Sequence, residues 1–237
     1  MTQFKDGNQI ELLRNGSEYF PALEAAILAA KQVVYLQTYI FALDETGEII
    51  GNALKQAAQR GIEVNLMLDG FGSKDLSKNY VEELKHSGVQ VMFYRPKISP
   101  WTFKTRRLRR LHRKVAVIDD RIGFVGGINI IDDYDVPNQI GPRVDYAVRI
   151  EGAIVADIVD SVKSLWPIME WMNLRNLRQP SALSVSTSSL ENKPNLKAAF
   201  LIRNNVLHRN DIEDAYLAAI KNAHTEILIA NAYFLPG

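Results

Sequence analysis

The stretch 111–130, LHRKVAVIDDRIGFVGGINI, decides both the fold and the chemistry. Its centre, VAVI (115–118), is a short apolar run that reads as a strand entering a core. Asp119-Asp120-Arg121 fits a tight turn, and IGFVGG (122–127) returns as the neighbouring strand. Ahead of the run stand His112 and Lys114, two residues apart, so a strand places both side chains on one face. Gly126 and Gly127 let backbone approach a ligand closely, and Asn129 supplies an amide just beyond. Asp119 has the opposite strand parity to His112. Its expected role is to hold the turn or the lysine rather than to touch a ligand.

This group suits a phosphodiester. Imidazole titrates near neutrality, so it can attack phosphorus or pass a proton to a leaving alkoxide. Lysine brings a compact positive charge to the non-bridging oxygens of the transition state. Taken singly, each residue is ordinary: a histidine at a strand start, a solvated lysine, hairpin glycines. Their joint spacing is what points to a site.

Outward from this stretch, strand and helix patterns alternate. IELL (10–13) reads as a strand, and 17–31 as a helix with a serine cap and Phe20, Leu23, Ile27 and Ala30 at helical spacing. VVYLQTYIF is the next strand, followed by a helix over 47–60 ended by Gly61, a strand over 62–68, a helix over 77–86 and a strand over 89–94. VDYAVRIEG forms a further strand and roughly 153–171 a helix. This rhythm predicts an α/β fold with a mixed, mostly parallel sheet covered by helices. Residues 173–197 are polar and read as a linker. After it, 212–234 (IEDAYLAAIKNAHTEILIANAYF) resembles 19–41 at a shift of 193, pairing Ile27 with Ile220 and Phe41 with Phe234. The expected organisation is a first lobe over 1–172, a linker over 173–197 and the start of a second, homologous lobe over 198–237.

Composition bounds the rest. The chain has 237 residues, 47% of them apolar, and a net charge of +1. Without cysteine it has neither a disulfide framework nor a thiolate metal site. No uncharged apolar run approaches the ~20 residues of a spanning helix, so any meeting with a membrane is expected at its surface. The segment 97–114, KISPWTFKTRRLRRLHRK, packs seven Lys or Arg into 104–114 and carries Trp101, Phe103, Leu108 and Leu111. Cations beside aromatic and leucine side chains suit an anionic membrane interface, and equally a nucleic-acid backbone.

The order His112-x-Lys114, four residues, Asp119, six residues, Gly126-Gly127-x-Asn129 resembles the signature of the phospholipase D superfamily. Many members have Gly-Ser where this chain has Gly-Gly, and Gly-Gly is common in the cardiolipin synthase branch. LQTYIFALDETG, AAQRGIEVNLMLDGFGS, DYAVRIEG and IANAYFLPG look like bacterial cardiolipin synthases, and the N-terminus without an anchor looks most like the B type. The resemblance implies two displacements through a phosphatidyl-histidine, with no metal or other cofactor. It makes His112 the nucleophile, or in its other role the acid-base partner. Lys114 binds phosphate oxygens, Asn129 assists and Asp145 orients the histidine ring. Gly126, Gly127, Arg109 and Arg110 are expected on the substrate side, and Asp119 completes the catalytic motif.

Such a site uses two motifs, one per lobe. This chain has one: His86, His208 and His224 lack the Lys and Asp that the motif needs. The expectation is a truncated enzyme whose second lobe has only begun, with a homodimer as the other source of a second motif. The expected partners are anionic phospholipids, phosphatidylglycerol above all, at the cytoplasmic face of a bacterial membrane, with nucleic acid disfavoured. Two other readings stay open: a metal-independent phosphodiesterase or nuclease, and a non-catalytic lipid-binding fragment.

Overall fold

The computed structural model describes residues 3–95, 110–135, 141–166, 195–202 and 210–229. In chain order the elements are β1 (Lys5–Arg14), α1 (Asn15–Leu28), β2 (Val33–Thr38), α2 (Glu45–Gln59), β3 (Glu63–Asp69), α3 (Lys78–His86), β4 (Gln90–Tyr94), β5 (Val115–Ile118), β6 (Ile122–Gly126), β7 (Tyr146–Gly152), α4 (Val155–Lys163), β8 (Leu196–Ala198) and α5 (Asp211–Lys221). The chain divides into two compact units, residues 5–198 and residues 1–4 with 199–237. The larger unit holds the whole sheet. In the smaller, α5 buries none of its side chains. The basic segment up to Arg109, most of the stretch read as a linker and the end of the predicted 153–171 helix lie outside the described residues.

The eight strands run in the order β4-β3-β2-β5-β6-β7-β1-β8. The sheet is mixed, as expected, but its parallel part is confined to β2, β3 and β4, joined through helices α2 and α3. The other ladders are antiparallel. The expected parallel majority fails for a physical reason. The βαβ rhythm holds only where a helix can carry the chain back across the sheet. From β5 onward a three-residue turn joins β5 to β6, and β7 then returns antiparallel alongside β6, with no helix among the described residues between them.

Local chemistry sets most helix ends. Asp44 caps α2 by accepting from Gly47 N at 2.8 Å, and Ser77 caps α3 by accepting from Tyr80 N at 3.1 Å. Helix α1 starts two residues before the serine expected to cap it: Asn15 adopts φ 54°, and Glu18 reaches back to accept from Arg14 N at 2.7 Å. Leu23 and Ile27 of α1 join Ile50 and Leu54 of α2, Leu84 of α3 and the strand residues Leu36, Leu66, Ala116 and Phe124 in the main core. Helix α4 packs on the opposite face, where Ile158 lies against Gly123. Among the described residues no helix is long and apolar enough to cross a membrane.

This topology gathers strand ends at one edge of the sheet. Strands β2, β3 and β4 finish at the same edge of the sheet. The antiparallel β5 begins there, with Val115 opposite Gln37 of β2, and β6 finishes there. That edge, where strand direction reverses, is where open α/β sheets carry their ligands.

Candidate active site

His112 and Lys114 enter this edge in the extended residues just before β5. Alternation turns both toward the same side, while Arg113 points the other way and donates to Ser161 O of α4 at 3.0 Å. The imidazole is exposed and the lysine is buried. Lys114 Nζ lies 3.2 Å from His112 Nε2, so the ammonium donates to the lone pair of a neutral imidazole protonated on Nδ1. Tyr39, at the end of β2, closes the cluster. Its ring centroid is 5.0 Å from that of His112 and 5.4 Å from Lys114 Nζ.

The electrostatics favour an anion here. Burial pulls the Lys114 ammonium down to about 8, opposed by the Asp145 carboxylate. His112 is also lowered, first by burial and then by the neighbouring Lys114 charge, while Asp69 pulls it the other way. At neutral pH the pair is therefore a free-base imidazole beside a desolvated cation. Nε2 becomes nucleophilic once Lys114 turns its N–H from the ring to a bound phosphate, which also supplies the counter-charge that the cation lacks.

The remaining predicted residues divide. Asn129 is held beside the residue that follows Tyr39: its Oδ1 accepts from Ile40 N at 3.0 Å, which leaves Nδ2 as the donor group. Asp145 precedes β7 and acts electrostatically on Lys114, whereas the carboxylate that acts on His112 is Asp69. Asp145 Oδ1 accepts from Tyr146 N at 2.7 Å, and its backbone is clasped by Asn15 through N–H to Oδ1 at 3.1 Å.

Asp119 is not brought to the cluster. It sits at the far end of β5, where its carboxylate accepts from Lys31 N, Gln32 N and Val33 N at 2.8–3.1 Å. Of the two roles that strand parity left open, the turn or the lysine, the four carboxylate–amide contacts fit the turn. The glycine pair is packed against neighbouring chain. A Cβ on Gly126 would come within 2.5 Å of Ala147 Cα, and one on Gly127 would overlap the Asp145 carboxylate. The chain that approaches these glycines is β7 and the residues before it. Arg110 is likewise directed inward: it pairs with the buried Asp69 at 3.9 Å and lies over the Phe71 ring at 5.0 Å. Arg109 lies outside the described residues.

Tyr39 and Asp69 were not foreseen. Every residue of β2 is buried, so no alternation marks which face its last residues serve. Asp69 did carry a signal: it is a carboxylate directly after the apolar run Leu66-Met67-Leu68, at the edge where β2 and β4 also end.

A family model described as "Cardiolipin synthase, PLD-like domain" matches residues 23–139. Cardiolipin synthase B of Salmonella typhimurium is 40% identical over 99% of this chain and 55% of its own length. Residues 23–139 are thus similar to the phospholipase D-like domain of cardiolipin synthases. The chain is similar to the B type and spans about half the length of the curated relatives it matches. Two solved structures support the phospholipase D fold. One is the phospholipase D family member Nuc from Salmonella typhimurium (TM-score 0.50, 18% identity, 70% of this chain and 95% of that one). The other is phosphatidylserine synthase from Haemophilus influenzae (TM-score 0.51, 21% identity, 65% of this chain and 36% of that one).

Proposed function

We propose that this domain supplies one half of a phosphatidyltransferase site that makes cardiolipin from two phosphatidylglycerol molecules. The observation that carries the reading is the buried Lys114 ammonium 3.2 Å from the Nε2 of an exposed imidazole. His112 Nε2 attacks the donor phosphorus, and the bond to the glycerol headgroup breaks. Glycerol leaves with a proton, and the phosphatidyl group is held on the ring. The primary hydroxyl of a second phosphatidylglycerol then attacks phosphorus. It breaks the P–N bond, passes its proton to the group that had protonated glycerol, and frees the imidazole. Lys114 and the Asn129 amide bind the non-bridging oxygens, whose charge redistributes in each transition state.

The group that hands glycerol its proton comes from a second copy of the motif. The repeat at 212–234 favours a homologous lobe as its source, with a second copy of the chain as the other arrangement. The lipid substrates place the domain at a membrane surface, on the cytoplasmic side, with the basic segment 97–114 as its contact.

The test supplies phosphatidylglycerol vesicles to the chain, alone and together with a lobe bearing a second His-x-Lys motif, and follows cardiolipin and glycerol. Mass spectrometry of the quenched protein locates any phosphatidyl adduct. The expected result is an adduct on His112 and product formation that His112→Ala abolishes. Wild-type turnover by His112→Ala would refute the assignment, and cleavage of nucleic acid in place of lipid transfer would move the domain to the nuclease reading.

A further inference from the structure

We propose that Asp69 is a positioning residue for His112: its carboxylate holds the backbone at Leu111 and, through the turn 69–73, the Tyr39 platform on which the imidazole rests. The inference rests on the reading of His112 as the nucleophile and adds a residue to that site.

Asp69 closes β3 and is 0% exposed. Its Oδ2 accepts from Leu111 N at 2.7 Å, the residue directly before His112. Its Oδ1 accepts from Phe71 N at 2.9 Å and Gly72 N at 3.0 Å, and Arg110 stands 3.9 Å from the same oxygen. A buried carboxylate persists only when paired and hydrogen-bonded, and here backbone amides from two separate segments supply those bonds. The turn it folds reaches the platform. Ser73 N donates to Asp69 O at 3.0 Å, Ser73 Oγ donates to Tyr39 O at 3.1 Å, and Phe41 N donates to Ser73 Oγ at 3.0 Å. Leu111 is fixed on its other side by packing against Met67. One carboxylate thus ties down the strand that carries the imidazole and the loop that carries the ring beneath it.

The charged groups around the imidazole are the Lys114 ammonium on its own strand, Asp69 from β3 with its partner Arg110, and Asp145 from the approach to β7, which acts through Lys114. Removing the Asp69 charge withdraws the contribution that raises His112 and leaves burial and the ammonium, which lower it.

The experiment uses the 237-residue chain with labelled histidine rings. Four histidines give few signals, and His112→Gln assigns the one of interest. In Asp69→Asn an amide puts a donor against a backbone donor, with little change in volume. The expected result, in protein that still unfolds cooperatively, is a His112 ring that titrates at lower pH than in the wild type and loses its nuclear Overhauser contact with the Tyr39 ring. An unchanged or higher titration point with that contact intact would overturn the proposal, because a residue serving only stability would lower the unfolding temperature and leave both readouts alone. Should Asp69→Asn not fold, the wild type decides: Leu111 N–H, outside any strand ladder, is expected to exchange at least about a hundredfold slower than an unstructured amide, and coil-rate exchange would overturn the proposal. None of these readouts needs substrate, so their failure is separable from failure of the phosphatidyl-transfer reading, which turns on activity of His112→Ala.

Discussion

At one end of β5 a buried ammonium faces an exposed imidazole. At the other, roughly 16 Å along the strand, a carboxylate is saturated by backbone amides. Both ends belong to one sequence signature, yet they are built in opposite ways. Lys114 is desolvated and kept short of counter-charge, so its charge is costly until an anion arrives. Asp119 offsets a left-handed backbone, φ 53° followed by φ 52° at Asp120, by gathering the amides of the chain entering β2. The signature thus couples a chemical end to an architectural end through four buried residues, Val115 to Ile118.

The largest effect that sharpens this contrast is expected from His112→Ala. Phosphatidyl transfer by the assembled enzyme should fall by about 10⁴-fold or more, while unfolding shifts by no more than about 0.5 kcal/mol because the ring is exposed. Lys114→Met comes next, with turnover down about 10²–10³-fold. Its stability should move the other way. The Lys114 pKa is depressed from its ordinary value to about 8, so the folded state bears the full penalty below pH 8 and sheds it as pH rises toward that of a free lysine. Chemical denaturation should therefore find the methionine variant more stable than wild type at pH 6, by on the order of 2–3 kcal/mol, with the gap closing at alkaline pH. A variant that is less stable at pH 6 would break the contrast.

The same group predicts the pH–rate profile. Activity needs His112 neutral and Lys114 charged, so the acid limb lies below the ordinary histidine value and the alkaline limb near 8, moved upward once anionic substrate is bound. The smallest effect belongs to the other end. Asp119→Ala should cost about 2 kcal/mol from lost amide acceptors and an alanine in left-handed backbone, or about 4–8 °C in melting temperature for a chain of this size. The His112 titration should stay where it was. A shifted histidine in that variant would show that the two ends communicate.

The sequence made the chemical end legible because strand alternation is local: residues two apart share a face, and His112 and Lys114 do. The Asp-Asp-Arg turn was readable for the same reason. Pairing direction was not, since whether β5 runs parallel or antiparallel to β2 depends on contacts distant in sequence. Tyr39 and Asp69 stayed hidden because a strand buried on both faces has no alternation to read. The repeat shows the same limit. At the shift of 193 the end of α1, Leu28, matches the end of α5, Lys221, so helix formation follows the local pattern. Burial does not: Ile27 is fully buried and its counterpart Ile220 is 41% exposed.

The clash between a Cβ at position 127 and the Asp145 carboxylate ties two positions eighteen residues apart into one unit of variation. A serine at 127 requires that carboxylate to swing aside, and so alters the field that Lys114 feels. Exchanges at this pair are therefore expected to be contingent on each other: a serine introduced alone should perturb the lysine, and a matched change at 145 should restore it.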